Sequence, residues 1–138
     1  VAPAEIAQSL SKKAEDIAIK LVTAMEFVGL LAVEMFVTTD GHILVNEVAP
    51  RPHNSGHWTI DACVTSQFEQ FIRAVCGLPL GDPAHHSNAR MKNLLGDDID
   101  GWQAILTEPT AKLHLYGKAE AKPGRKMGHV TWVLPKED

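Results

Sequence analysis

A chain of 138 residues, 45% hydrophobic and 22% charged, has a globular composition and suffices for one ordinary domain or two small ones. A net charge of −4 without a broad basic stripe argues against a general nucleic-acid binder, and no apolar run reaches the length of a membrane span. Cys63 and Cys76 are too few for a disulfide framework and fit a reducing, cytoplasmic setting.

The sequence opens on Val1, with neither an initiator Met nor a signal-peptide pattern, as expected of a piece of a longer protein. Ile6, Leu10, Ile17, Leu21, Met25 and Val28 recur at steps of three, four or seven and predict one long amphipathic helix, with Pro3 in its first turn and Gly29 at its end. Lys12, Lys13, Glu15, Asp16 and Lys20 make its solvated face. The helix is expected to pack on the hairpin that follows, against Val33, Met35 and Val37.

That hairpin is the strongest local signal in the chain. Leu31–Thr38 and His42–Val48 alternate apolar with polar residues, and Asp40-Gly41 between them suits a two-residue turn with positive φ. Such a turn pairs Thr39 with His42, Val37 with Leu44 and Glu34 with Glu47. Period two then sets the two carboxylates on one face, with Cβ atoms roughly 4.5–5.5 Å apart. Like charges so placed repel, and three arrangements relieve them: protonation of one, a cation between them, or full solvation at an edge. Hard oxygen donors of this kind suit Mg²⁺ together with substrate phosphates. On this register Asn46 points to the opposite face. Glu47 leads into Val48-Ala49-Pro50-Arg51-Pro52-His53-Asn54-Ser55-Gly56-His57, rich in donors and stiffened by two prolines.

Ser66-Gln67-Phe68-Glu69 reads as a capping box opening a second helix, with Phe68, Phe71, Ile72 and Val75 in the core and a stop at Gly77 before Pro79. Gly81–Asn88 is turn-rich and marks a division into residues 1–82 and 83–138; His85-His86 reads as loop. Charge divides there too. Five Lys/Arg against ten Asp/Glu leave the first part at −5, and eight against seven leave the second at +1. The second part reads as short half-buried antiparallel strands at Arg90–Leu95, Lys112–Tyr116 and His129–Leu134. A short helix at Ile99–Leu106 interrupts them, capped by Asp97 or Asp98, with Ile99, Trp102, Ile105 and Leu106 inward. Between the last two strands, Lys118, Lys122, Arg125 and Lys126 against Glu120 give a local +3, either a solvated hairpin tip or a phosphate site.

Val33-Glu34-Met35-Phe36, Asn46-Glu47-Val48-Ala49-Pro50-Arg51-Pro52-His53-Asn54-Ser55-Gly56-His57, Ser66-Gln67-Phe68-Glu69, Arg73-Ala74-Val75, Tyr116-Gly117-Lys118 and Pro123-Gly124-Arg125-Lys126-Met127-Gly128-His129 together resemble the 5-(carboxyamino)imidazole ribonucleotide synthetase family of ATP-grasp enzymes. Two Glu and a Pro-Arg-Pro occur across ATP-grasp enzymes, whereas His-Asn-Ser-Gly-His is the narrower mark. The resemblance implies an α+β fold: the C-terminal half of an ATP-grasp domain, then a small mostly-β subdomain. It implies an ATP- and Mg²⁺-dependent ligase of purine biosynthesis that joins bicarbonate to 5-aminoimidazole ribonucleotide through carboxyphosphate. Such enzymes are expected in the cytoplasm, as homodimers, without nucleic-acid or membrane partners.

Residue by residue, the resemblance assigns Glu34 and Glu47 to the metal, and Asn46 and Glu47 to the nucleotide. Arg51, His53 and Lys118 become the catalytic set. Arg51, His53, Asn54, Lys118 and Arg125 become the substrate contacts, Arg125 holding the 5′-phosphate. Ala49 departs from many members of the wider superfamily, which place a metal-binding Asn there; a further ligand would come from water, from Asn54, or from nothing. The family's adenine clamp and ATP-contacting lysines lie upstream of residue 1, so these residues alone are expected to be inactive. The alternatives are another ATP-grasp carboxylase or ligase of purine synthesis, and a non-catalytic interaction domain that kept the fold.

Overall fold

The computed structural model describes residues 1–136. Helix α1 spans Gln8–Ala24, followed by strands β1 (Ala32–Val37) and β2 (Ile43–Ala49). Next come a 3₁₀ turn at Asn54–Gly56, a short helix α2 (Thr59–Ala62) and helix α3 (Gln67–Val75). The second part holds β3 (Asn88–Leu95), a 3₁₀ turn at Gly96–Gly101, the single-turn helix α4 (Trp102–Ile105), β4 (Ala111–Leu115) and β5 (Lys126–Leu134). Strands β1 and β2 form a two-stranded antiparallel sheet, and β3-β5-β4 a three-stranded one.

Helix α1 is shorter than its apolar periodicity: Pro3 and Ile6 precede it, and Met25 caps its end. A Lys12–Asp16 pair at 3.1 Å, one turn apart, lies on its solvated side. The helix meets the hairpin near the turn. Lys13, Asp16, Ile17 and Lys20 line a cavity of about 290 Å³ with Gly41, His42 and Ile43. No α1 side chain is fully buried, and Val37, expected beneath the helix, is exposed, as are Phe36, Leu44, Val45 and Val48 on the hairpin.

The hairpin departs from the expected register in two places, and the departures cancel. Its loop has three residues, Thr39–Gly41, closed by Thr38 N–H to the His42 carbonyl at 2.9 Å, with Gly41 at φ +82°. A three-residue loop ending in a left-handed glycine is the next commonest hairpin closure after the two-residue one. The Thr38 hydroxyl accepts from His42 N–H at 2.9 Å and bonds the Asp40 carboxylate, which favours that longer loop. Near the turn, therefore, Val37 pairs with Ile43 and Phe36 with Leu44, one residue off the expected pairs. A bulge between Glu34 and Met35 then takes up one extra residue on β2, and Glu34 faces Glu47 as expected.

Helix α3 begins on Ser66, whose hydroxyl accepts from Glu69 N–H at 3.2 Å. Only half the capping box forms, because the Glu69 carboxylate turns to Arg73, 2.7 Å away. The helix ends at Gly77, φ +64°, with Leu78 N–H bonded back to the Arg73 carbonyl at 2.8 Å. Phe68, Ile72 and Val75, expected in the core, are exposed.

In the second part, β5 is the central strand and is buried on both faces, not half-buried. One face builds the apolar core of Leu94, Ala111 and Val130, covered by Ile99, Ile105, Leu113 and Trp132. The other face presents His129 and Thr131, both fully buried, towards the first part of the chain. Asp98 caps the 3₁₀ turn by accepting from Leu95 N–H at 3.0 Å. Trp102 and Leu106, expected inward, are exposed.

Side-chain contacts join the two parts. Asn54 and Asn93 exchange amide hydrogen bonds at 2.7 and 2.9 Å, Asp61 on α2 bonds His114 on β4 at 2.8 Å, and the His57 and His129 rings lie 5.2 Å apart.

Candidate active site

The bulge shapes the first half of the site. Two β2 residues oppose one on β1, so Asn46 leaves the ladder and turns its amide Nδ2 to within 3.4 Å of Glu34 Oε2. The expectation that Asn46 faces away is corrected by this geometry: Glu34, Asn46 and Glu47 share one side of the hairpin. Both carboxylates are half open to solvent, which screens their mutual repulsion.

His53 reaches over the pair. Its Nε2 lies 3.4 Å from Glu34 Oε1 and 4.0 Å from Glu47 Oε1. Ser55 N–H donates to His53 Nδ1 at 3.3 Å; a backbone N–H can only donate, so the proton of the neutral ring sits on Nε2, facing the carboxylates. Arg51 is exposed, with Nη1 3.1 Å from the Pro52 carbonyl.

The loop carrying these groups is pinned by Gln67, 8% exposed, whose place in the site was not read from the sequence. Its Oε1 accepts from His53 N–H at 3.0 Å, and its Nε2 donates to the His53 carbonyl and to His57 Nδ1, each at 2.8 Å. The two His53 backbone groups fix which way the amide points, so His57 too carries its proton on Nε2. Burial, with charge on His53, Lys126 and His114 nearby, pushes His57 below the usual histidine value. Gly56 is required here, since a Cβ at that position would stand 2.5 Å from Gln67 Oε1. Asn54 faces the seam instead of the hairpin, its amide nitrogen and oxygen each bonded to Asn93.

The second half of the site lies on the three-stranded sheet. Lys118 Nζ donates to the Lys126 carbonyl at 2.5 Å and sits 5.4 Å from the centre of the Tyr116 ring. Arg125 Nη1 bonds the Glu120 carbonyl at 3.3 Å within its own tip, and Lys122 pairs with Glu120 at 3.0 Å. Gly124, φ +75°, gives that tip its turn. The His57 and Tyr116 rings meet edge-on at 6.3 Å, bringing the end of β4 beside the Pro-His loop.

Behind Tyr116 lies a cluster that was not read from the sequence. Asp61, His114 and His129 have ligand atoms within 4.8 Å of one another. The two imidazoles are stacked, centres 4.5 Å apart at 13°, so their in-plane lone pairs lie in separate, nearly parallel planes and do not converge on one ion. Asp61 already takes His114 Nε2, which makes the cluster a hydrogen-bonded stack.

Comparison with known proteins gives this geometry relatives. The family model for the ATP-grasp domain matches residues 1–68, and that for the phosphoribosylaminoimidazole carboxylase C-terminal domain residues 89–138. N5-carboxyaminoimidazole ribonucleotide synthase of Brucella melitensis is 56% identical over 97% of this chain, and that of Bacillus subtilis 53% identical over 100% of it. The chain spans 37% of the length of each. A solved ADP complex of N5-carboxyaminoimidazole ribonucleotide synthetase superimposes with a TM-score of 0.92 at 52% identity, over 98% of this chain and 36% of that one. The Aspergillus clavatus synthase in complex with ADP and 5-aminoimidazole ribonucleotide gives 0.91 at 39% identity, over 98% of this chain and 38% of its own.

Proposed function

The chain belongs to the N5-carboxyaminoimidazole ribonucleotide synthase family, matching its C-terminal region, and from that premise we propose that it supplies the metal end and the ribonucleotide end of an ATP-dependent ligase carboxylating 5-aminoimidazole ribonucleotide with bicarbonate. The observation that carries the reading is the convergence of Glu34, Asn46 and Glu47 on one side of a bulged hairpin, under His53. Residues 1–82 form the C-terminal part of the ATP-grasp domain and 83–138 the small subdomain; the family matches leave residues 69–88 between them.

The donor set fits Mg²⁺. Two half-exposed carboxylates are hard oxygen ligands, where a Cys or multi-His set would favour softer ions. Glu34 and Glu47 would hold the ion, with Asn46 against the nucleotide. Bound there, Mg²⁺ would neutralise charge on the phosphate oxygens during transfer. His53 presents an N–H beside the two carboxylates, and Arg51 contributes a permanent cation on a proline-stiffened loop, suited to orienting bicarbonate and carboxyphosphate. Lys118 and Arg125 form the cationic end for the ribonucleotide, Arg125 for its 5′-phosphate. Asn54 serves the substrates indirectly, by tying the loop to β3 through Asn93.

The test is ADP release by a full-length synthase carrying this segment. Release should require both 5-aminoimidazole ribonucleotide and bicarbonate, and glycinamide ribonucleotide should not replace the former. Turnover with glycinamide ribonucleotide would assign the segment to a different ligase.

A further inference from the structure

Lys118 is a flexible side chain asked to hold one position, and the structure surrounds it with a support that the proposed reaction does not itself require. Its ammonium rests over the Tyr116 ring, 5.4 Å from the centre. The Tyr116 hydroxyl bonds His129 Nδ1 at 2.9 Å. His129 is 2% exposed, and its other nitrogen, Nε2, has no partner among the described residues. A second proton on that ring would leave a buried cationic N–H unpaired; burial, with His114 and His57 beside it, holds its pKa down to about 4. Burial likewise pushes the Tyr116 hydroxyl up, so the pair is neutral and joined by one hydrogen bond, whichever partner donates. On the far side, His129 stacks on His114, whose Nε2 is tied to Asp61. The chain of contacts from Asp61 through His114 and His129 to Tyr116 therefore starts on α2, in the first part of the protein, and ends under Lys118.

We propose that Tyr116 and His129 are positioning residues for Lys118: the buried His129 imidazole anchors the Tyr116 hydroxyl, and the anchored ring seats the Lys118 ammonium where a phosphate-bearing substrate meets it. This rests on the assignment of Lys118 to the ribonucleotide site. An ammonium on a four-carbon stem loses rotamer freedom on binding an anion, and a ring fixed beneath it removes part of that cost beforehand. Support of this kind acts on substrate binding and leaves the nucleotide end untouched.

Steady-state kinetics of a full-length synthase carrying the segment tests it. Tyr116→Phe keeps the ring and removes the anchor, and should raise the ribonucleotide KM about three- to tenfold, the loss of one neutral hydrogen bond, with ATP KM unchanged. His129→Leu should do the same, and His129→Asn, whose amide occupies the Nδ1 position, should recover most of the loss. The double variant Tyr116→Phe/His129→Leu should be no worse than the weaker single one, because both remove one link. Unchanged ribonucleotide KM in Tyr116→Phe, multiplicative effects in the double variant, or equal rises in both KM values would overturn the proposal. If His129→Leu fails to fold, Tyr116→Phe decides alone. Lys118→Ala separates the two readings. A raised ribonucleotide KM there with none in Tyr116→Phe removes only the positioning role, whereas no effect of Lys118→Ala removes the site assignment and the proposal together.

Discussion

Gln67 shows how much of a site one buried side chain can hold. It satisfies both backbone groups of His53 and one ring nitrogen of His57, and its own N–H bonds Thr59 Oγ1 at 2.9 Å. Gln67→Ala would strand the two His53 backbone groups and His57 Nδ1, each worth about 1–3 kcal/mol when left buried and unpaired, so chemical denaturation should show a loss of at least about 2 kcal/mol. Gly56→Ala should be destabilising for the same reason, since its Cβ would displace the Gln67 amide. A wild-type denaturation midpoint in either variant would show that the loop does not depend on this clamp. Titration offers a second check at this scale. His129 has a folded pKa of about 4 against an ordinary 6.5, so the unfolded chain binds the extra proton between those values. The stability that its burial contributes is complete above pH 6.5 and is lost as pH falls towards 4, by at most about 1.4 kcal/mol per pH unit for one proton. His129→Asn should flatten that part of the stability–pH curve, and an unchanged slope would mean that other groups set it.

The β1–β2 hairpin shows which elements could be read in the sequence and which could not. Asp40-Gly41, the alternation around it, Ser66 before α3 and Gly77 after it are local signals, and each acts where it stands. The bulge is not local. Nothing in Val45-Asn46-Glu47 announces an extra residue; it is fixed by the closure at Thr38–His42 and by the pairing beyond Glu34, which differ by one. The Glu34–Glu47 pair was therefore legible while the direction of Asn46 was not. Likewise, alternation in His129–Leu134 signals a half-buried strand but not that it lies between two others, which is why the burial of His129 and Thr131 was not legible. The exposed Phe68, Ile72 and Val75 are the reverse case, apolar positions without cover from the described residues. Asn46→Ala keeps the bulge and removes the amide beside Glu34. In a full-length synthase it should raise ATP KM about two- to tenfold, the range for one hydrogen bond, and leave ribonucleotide KM alone. No change in ATP KM would remove Asn46 from the nucleotide site.

At the scale of the whole molecule, two small sheets are locked at a seam of Asn54–Asn93, Asp61–His114 and His57–His129, which sets the cationic tip in fixed relation to the carboxylate hairpin. The hairpin's exposed Phe36, Val37, Leu44, Val45 and Val48 fit an element that the remaining length of its relatives would cover. These 138 residues alone should accordingly show no ATP-dependent carboxylation, and turnover by the purified segment would mean that the nucleotide contacts are already complete within it. The central claim is that the two ends do separable work, the carboxylate pair at the phosphates and the tip at the ribonucleotide. Kinetic constants of Glu47→Gln and Arg125→Ala, measured side by side in a full-length synthase carrying the segment, test it most directly. Arg125→Ala should raise ribonucleotide KM roughly ten- to a hundredfold, the worth of one charge-assisted pair, with ATP KM within about twofold. Glu47→Gln should cut kcat by at least about a hundredfold with ribonucleotide affinity nearly intact. An Arg125→Ala enzyme with unchanged ribonucleotide KM, or a Glu47→Gln enzyme with near-normal kcat, would contradict the account.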